Sequence, residues 1–171
     1  DLLKITPEKR SNLLKGLLEL PRLYSEVLSQ NQKIKKLCKK FIGSHSVLYL
    51  GRDLLYPIAL EGALKLKEIS YLHAEGYASG ELKHGPIALI DKSMSVVALN
   101  PSTRVFEKTL SNLEEVKARR GKIILLTDKK GKDLSKNLTK SIFELPNCSD
   151  FLAPILYSLP LQLIAYYTAL E

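Results

Sequence analysis

Three short apolar runs, separated by stretches of helical period, constrain this chain more than any other feature. The runs are Ser46-Val-Leu-Tyr-Leu50, Met94 to Leu99 and Lys122 to Thr127, and a further strand is expected over residues 141–145. Apolar runs that do not alternate with polar residues mark strands buried on both faces. A helical pattern opened by Pro57 runs to about Ser70, and a second runs from about Thr103 to Arg120, ended by Gly121. Within the second, Glu115 and Arg119 are spaced for an i,i+4 pair. Strands separated by helices imply a parallel sheet covered on both sides. The fold class expected is therefore α/β, a three-layer αβα sandwich.

Residues 1–45 read as a helical N-terminal extension packing on a 46–171 domain. Leu13, Leu14, Leu17, Leu18, Leu20, Leu23, Val27 and Leu28 recur at three- and four-residue spacing over 7–29. A second helix is expected from Asn31 to Phe41, with Ile34 and Leu37 inward, stopped by Gly43. In parallel sheets ligands bind at the carboxyl ends of strands. That singles out the turn at Gly51 and Arg52, and residues 73–91, which read as a loop because of Gly76, Gly80 and Gly85.

The net charge of +8 sits mainly in the extension, where ten Lys/Arg face four Asp/Glu. No helix-turn-helix, RNP-type or zinc-finger pattern accompanies it, so the basic face reads as solvated and no nucleic-acid partner is expected. Cys38 and Cys148 have neither CxxC spacing nor histidine neighbours. A reducing, cytoplasmic setting is expected, with no metal and no cofactor. Phe151 to Leu170 carries no charge and is long enough to span a bilayer. Pro154, Pro160 and Gln162 favour instead a helix buried all round in a core or dimer interface, with no membrane partner. A chain that opens on Asp1 reads as part of a longer protein.

Chemistry-bearing residues concentrate in 56–86. Glu61, Lys65 and Glu68 lie at i, i+4 and i+7, so they share one helix face, while Lys67 points elsewhere. The spacing alone fits a solvated ion-paired stripe as well as a site. Two of the three histidines, His73 and His84, fall in the segment that follows. Histidine is the residue type suited to moving a proton either way near neutrality.

Tyr56-Pro-Ile-Ala-Leu-Glu-Gly-Ala-Leu-Lys-Leu-Lys-Glu-Ile-Ser-Tyr71, the continuation Leu72 to Asp91 with Glu-Leu-Lys-His-Gly-Pro, and Ala153 to Tyr166 together form long blocks. They resemble the second sugar isomerase (SIS) lobe of the glucosamine-6-phosphate synthase family, the glutamine:fructose-6-phosphate aminotransferases. The resemblance implies an SIS-type sandwich taking part in hexosamine synthesis. Ammonia from glutamine and fructose 6-phosphate become glucosamine 6-phosphate there. It places the proton-transferring glutamate on Glu68, the active-site lysine on Lys65 and the ring-opening histidine on His84, which acts across a homodimer. Glu61, Gly51 and Arg52 are weaker substrate-binding candidates.

The departures are specific. The family's first lobes bind sugar phosphate with a Ser-x-Ser-Gly-Glu loop, whereas this chain reads Asn100-Pro-Ser102-Thr103-Arg104. Arg52-Asp53 replaces a glycine-richer turn. The glutaminase nucleophile, the first SIS lobe and a C-terminal tail with a further lysine are expected to lie outside this chain. SIS domains also serve as sugar-phosphate-binding regulators without catalysis, and a purely structural dimer-forming lobe is the third reading.

Overall fold

The first helix begins where Thr6 caps it, its hydroxyl accepting from the Lys9 N–H at 3.3 Å, with Pro7 in the first turn where its missing N–H is not needed. The computed structural model describes residues 5–171. Helix α1 (Pro7–Ser29) is followed by α2 (Asn31–Cys38) and a 3-10 turn over Lys39–Phe41. Gly43, at φ 70°, then turns the chain into the sheet.

Five strands follow in an all-parallel sheet: β1 (Ser46–Gly51), β2 (His73–Ala78), β3 (Met94–Leu99), β4 (Lys122–Thr127) and β5 (Ile142–Glu144), in spatial order β2-β1-β3-β4-β5. Helix α3 (Tyr56–Ser70) connects β1 to β2, α4 (Phe106–Ala118) connects β3 to β4, α5 (Lys129–Leu134) precedes β5, and α6 (Ala153–Ala169) closes the chain. The sheet order reverses between β1 and β3.

Strands β1, β3 and β4 are buried on both faces, as their apolar runs require. Val47, Tyr49, Val97, Leu99, Ile124 and Leu126 face a core shared with α1, α2, α3 and α6. Leu48, Leu50, Val96, Ala98, Ile123 and Leu125 face a second core with α4 and the turns after β2. The expected three-layer arrangement is thus the one observed. Each Val, Leu and Ile among them contributes about 1.5–3 kcal/mol on leaving water, so the two cores dominate stability.

The structure corrects several local expectations. Residues 73–78 are not loop but the edge strand β2, paired in parallel with β1 from Ser46 opposite His73 to Gly51 opposite Ala78. Gly76 is there for packing: a Cβ on it would lie 2.8 Å from both the backbone N and the Cα of Leu60 in α3. The polar stretch after β4 contains α5, capped by Asp128. The left-handed residue that ends α4 is Arg120 (φ 67°), not Gly121. Glu115 pairs with Lys83 across the fold rather than with Arg119.

Within the single chain helix α6 packs between α3 and α2 and leaves one face uncovered, so the core of this chain alone does not bury it all round. Ile155, Gln162, Tyr166 and Ala169 form an exposed ridge. No helix among the described residues is long and apolar enough to cross a membrane. In α1 only Leu23 and Val27 are fully buried, while Leu14, Leu17 and Leu18 remain exposed. The leucine periodicity therefore overstated the core contact of the first three turns.

Candidate active site

Helix α3 carries the densest set of functional groups. Its inward face is made of small residues, Ala59, Gly62 and Ala63, with Leu66. A Cβ on Gly62 would come 2.6 Å from the tip of Leu161 in α6 and 3.0 Å from the Tyr49 ring in β1. The helix is therefore seated hard against both, which holds its outward face in register. On that face the Lys65 ammonium donates to Glu68 Oε2 at 2.8 Å and lies 3.8 Å from Glu61 Oε1. The Lys65 and Glu68 side chains are 37% and 49% exposed, open to a ligand yet fixed by each other. The Glu68 hydrogen bond, its charge, and then the charge of Glu61 push the lysine titration above its ordinary range, against a smaller opposing effect of burial, so it stays cationic at neutral pH.

The helix ends at Ser70, whose hydroxyl donates to the Leu66 carbonyl at 2.7 Å, and Tyr71 turns the chain in the left-handed region at φ 59°. Next come His73, 3.5 Å from Glu75, and Tyr77, whose hydroxyl donates to Glu75 at 2.5 Å. That bond, with some burial, raises the Tyr77 titration.

His84 sits in the 3-10 segment Ser79–His84 on the opposite face of the sheet from α3. Its Nδ1 lies 2.9 Å from Glu81 Oε2, and its side chain is 72% exposed. The segment is anchored from below. Leu82 is fully buried, the Ser79 hydroxyl donates to the Gly51 carbonyl at 3.2 Å, and the Asn112 amide donates to the Ser79 carbonyl. An exposed histidine on an anchored turn is available to something outside this chain.

Gly51 and Arg52 occupy a different place. Because α3 starts beside the carboxyl end of β1 and returns to the start of β2, Lys65 and Glu68 lie in its last two turns, toward the amino edge of the sheet. At about 1.5 Å per residue they are roughly 15–20 Å along the helix from the β1 turn. Gly51 is fixed by the chain itself, since a Cβ there would meet the Leu55 carbonyl oxygen at 2.1 Å. Arg52 lines a cavity of about 250 Å³ between the turn after β1 and the loop after β3, with Leu55, Leu99, Asn100 and Arg104 among its walls. This is the point where strand order reverses, the usual ligand position in such sheets.

Thus Glu61, Lys65 and Glu68 come together, Gly51 and Arg52 stand at the other edge, and His84 joins neither group within the chain. Sequence reasoning missed Asp53, Arg104 and Asp128. Arg104 donates to Asp53 at 2.8 Å across the cavity mouth. The signal for both aspartates was their position, just past the carboxyl ends of β1 and β4. Among the described residues no cluster of His, Cys, Asp or Glu is arranged to hold a metal ion.

A family model for the SIS domain matches residues 40–171. The chain belongs to the SIS-domain family. This SIS chain is 53% identical over 165 residues to the glutamine–fructose-6-phosphate aminotransferase (isomerizing) of Bartonella quintana (strain Toulouse), an alignment covering 96% of this chain and 27% of that protein. It superposes on the C-terminal domain of glucosamine-fructose-6-phosphate aminotransferase from Francisella tularensis with a TM-score of 0.89 and 44% identity, covering 97% of this chain and 46% of that one. The sugar isomerase domain of an RpiR transcription factor from Sphaerobacter thermophilus gives a TM-score of 0.75 at 11% identity, a likeness of fold alone. The chain thus spans about a quarter of the length of the curated relatives it matches.

Proposed function

We propose that this SIS chain is the second isomerase lobe of a cytoplasmic glutamine–fructose-6-phosphate aminotransferase, the family also called glucosamine-6-phosphate synthase. The observation that carries the reading is the Lys65–Glu68 pair, held at 2.8 Å on a closely seated helix, in a chain half identical to such enzymes. The regulator reading has only a distant likeness of fold behind it.

Ammonia adds to C2 of open-chain fructose 6-phosphate and water leaves, forming an imine at C2. The Glu68 carboxylate takes a proton from C1 and returns one to C2, while the C1 hydroxyl gives up its proton and the imine nitrogen gains one, leaving an aldehyde at C1 and an amine at C2, which is glucosamine 6-phosphate. One carboxylate close to both carbons is sufficient. Lys65 keeps Glu68 ionised and stabilises negative charge developing on the C1 oxygen. His84 opens the sugar ring by giving a proton to the ring oxygen while one leaves the C2 hydroxyl.

His84 does this for a neighbouring copy in a homodimer. Its exposure, and its place on the opposite face from Lys65 and Glu68, support that assignment. Glutaminase and first-lobe functions belong to other parts of the same protein. Residues 46–171 form the isomerase unit, and residues 5–45 pack on it; residues 1–4 of the N-terminal extension lie outside the described residues.

The deciding experiment is Glu68→Gln in the full-length protein. Glucosamine 6-phosphate formation is expected to fall at least about a hundredfold, with fructose 6-phosphate binding and glutamine hydrolysis retained. Undiminished synthesis would remove Glu68 as the base.

A further inference from the structure

Glu81 and His84 form a pair whose geometry follows from the turn that carries them. Residues Ser79–His84 make a 3-10 segment with three residues per turn, so side chains three apart stand directly over one another. That register sets Glu81 Oε2 2.9 Å from His84 Nδ1. The side chains between them are engaged elsewhere. Leu82 is fully buried beneath the turn, and Lys83 pairs with Glu115 of α4. Gly85 then takes φ 149°, a backbone conformation that side chains oppose, although a Cβ there would meet nothing. The chain turns away directly behind the imidazole, which stays 72% exposed.

The other close histidine–carboxylate contact among the described residues is looser. His73 stands 3.5 Å from Glu75, whose carboxylate also takes the Tyr77 hydroxyl. Glu81, by contrast, has no lysine, arginine or hydroxyl partner among the described residues, so His84 has its carboxylate alone. A carboxylate can only accept a hydrogen bond. The proton of the neutral imidazole is therefore held on Nδ1, and Nε2 keeps its lone pair. Nε2 makes no hydrogen bond among the described residues, which leaves it free for a group from outside the chain.

We propose that Glu81 is a positioning residue for His84, holding the imidazole proton on Nδ1 so that a bare Nε2 meets the sugar ring. The inference rests on the ring-opening role proposed above for His84 and adds the direction in which the proton moves. Nε2 takes the proton of the C2 hydroxyl, the bond between C2 and the ring oxygen breaks, and Nε2 gives that proton to the ring oxygen. The imidazole ends as it began. While it carries two protons, the Glu81 carboxylate stands at hydrogen-bond distance from the positive charge and stabilises it.

Two measurements test this. In the 171-residue chain with its imidazoles neutral, nitrogen-15 correlation spectra are expected to show His84 as the Nδ1–H tautomer. In Glu81→Ala they are expected to shift it toward Nε2–H. Glu81 is 65% exposed, so the substitution leaves the core intact. The second measurement compares two substrates in the full-length protein. One is fructose 6-phosphate; the other is its 5-deoxy analogue, which lacks the hydroxyl that closes the ring and so stays open-chain. Glu81→Ala is expected to lower kcat for fructose 6-phosphate about tenfold or more with little change in KM. Glu81→Asp should recover part of that loss, and on the open-chain analogue the loss should vanish. Glu68→Gln, acting after the ring has opened, should lose both substrates alike. An Nε2–H tautomer in the unsubstituted chain, or an Nδ1–H tautomer that survives Glu81→Ala, would overturn the inference and leave Glu68 and His84 as assigned. So would equal losses on the two substrates, or no loss on fructose 6-phosphate. Full activity of His84→Ala on fructose 6-phosphate would overturn the role of His84 and this inference together.

Discussion

Arg104 and Asp53 meet at 2.8 Å across the point where the strand order reverses, joining the loop after β3 to the turn after β1. Asp53 itself sits at φ 55°, in the left-handed region that few non-glycine residues adopt. The pair ties together the two loops that flank the Arg52 cavity. Because both side chains are largely exposed, it is expected to set loop position rather than stability. Arg104→Ala should leave the thermal midpoint unchanged while amide hydrogen exchange at residues 52–55 and 100–105 rises. Unaltered exchange would show that the loops are held without the pair.

Two glycine replacements should differ in cost for a geometric reason. Gly51→Ala puts a Cβ against the Leu55 carbonyl oxygen at 2.1 Å, and backbone cannot step aside there. Gly62→Ala meets the end of Leu161 and the Tyr49 ring, of which the leucine can rotate. Urea unfolding is expected to show Gly51→Ala losing about 3 kcal/mol or more, and Gly62→Ala about 1–2 kcal/mol. If Glu68 is the proposed base, Gly62→Ala in the full-length protein should also lower synthesis of glucosamine 6-phosphate, because it displaces the helix that carries Glu68.

Tyr49 is wholly buried in the core between the sheet and α3, and its hydroxyl has no hydrogen-bond partner within the chain. Burial pushes its titration far up. Tyr49→Phe removes only the unpaired oxygen, so it should be neutral or stabilising by up to about 1 kcal/mol. A loss of more than that on urea unfolding would mean the hydroxyl is engaged.

Burial raises the Cys38 thiol to about 11, an effect that the Thr168 hydroxyl opposes and the Glu171 charge reinforces. An unfolded thiol ionises at lower pH, so above about pH 9 the unfolded chain sheds a proton that the fold retains. Stability is therefore expected to fall as pH rises, by about 1 kcal/mol between about pH 8 and about pH 10 from this group. Cys38→Ala should flatten that part of the curve. Cys148 is likewise raised to about 11, first by burial, so iodoacetamide should modify neither thiol quickly at pH 8 in the folded chain.

If His84 serves a neighbouring copy, inactive Glu68→Gln and His84→Ala subunits of the full-length protein should complement each other. Mixed dimers then contain one site with both groups intact, and roughly a quarter to a half of the normal activity should return. Mixed dimers that form without any recovery would place both residues in one subunit's site.

Residue types and their spacing determined much of this protein. The apolar runs at β1, β3 and β4 announced buried parallel strands, because a strand covered on both faces has no need of polar alternation. The spacing of Glu61, Lys65 and Glu68 placed them in one row, because side chains one helical turn apart overlap. Tertiary structure decided the rest, wherever the cause lay far along the chain. Gly76 looked like loop and is strand, because the constraint on it is the backbone of Leu60 in another element. Glu115 passed over Arg119 for Lys83, since packing brought the turn after β2 onto α4. No local pattern could have set Arg104 against Asp53. Those neighbours meet only when the sheet assembles and draws the ends of its strands together.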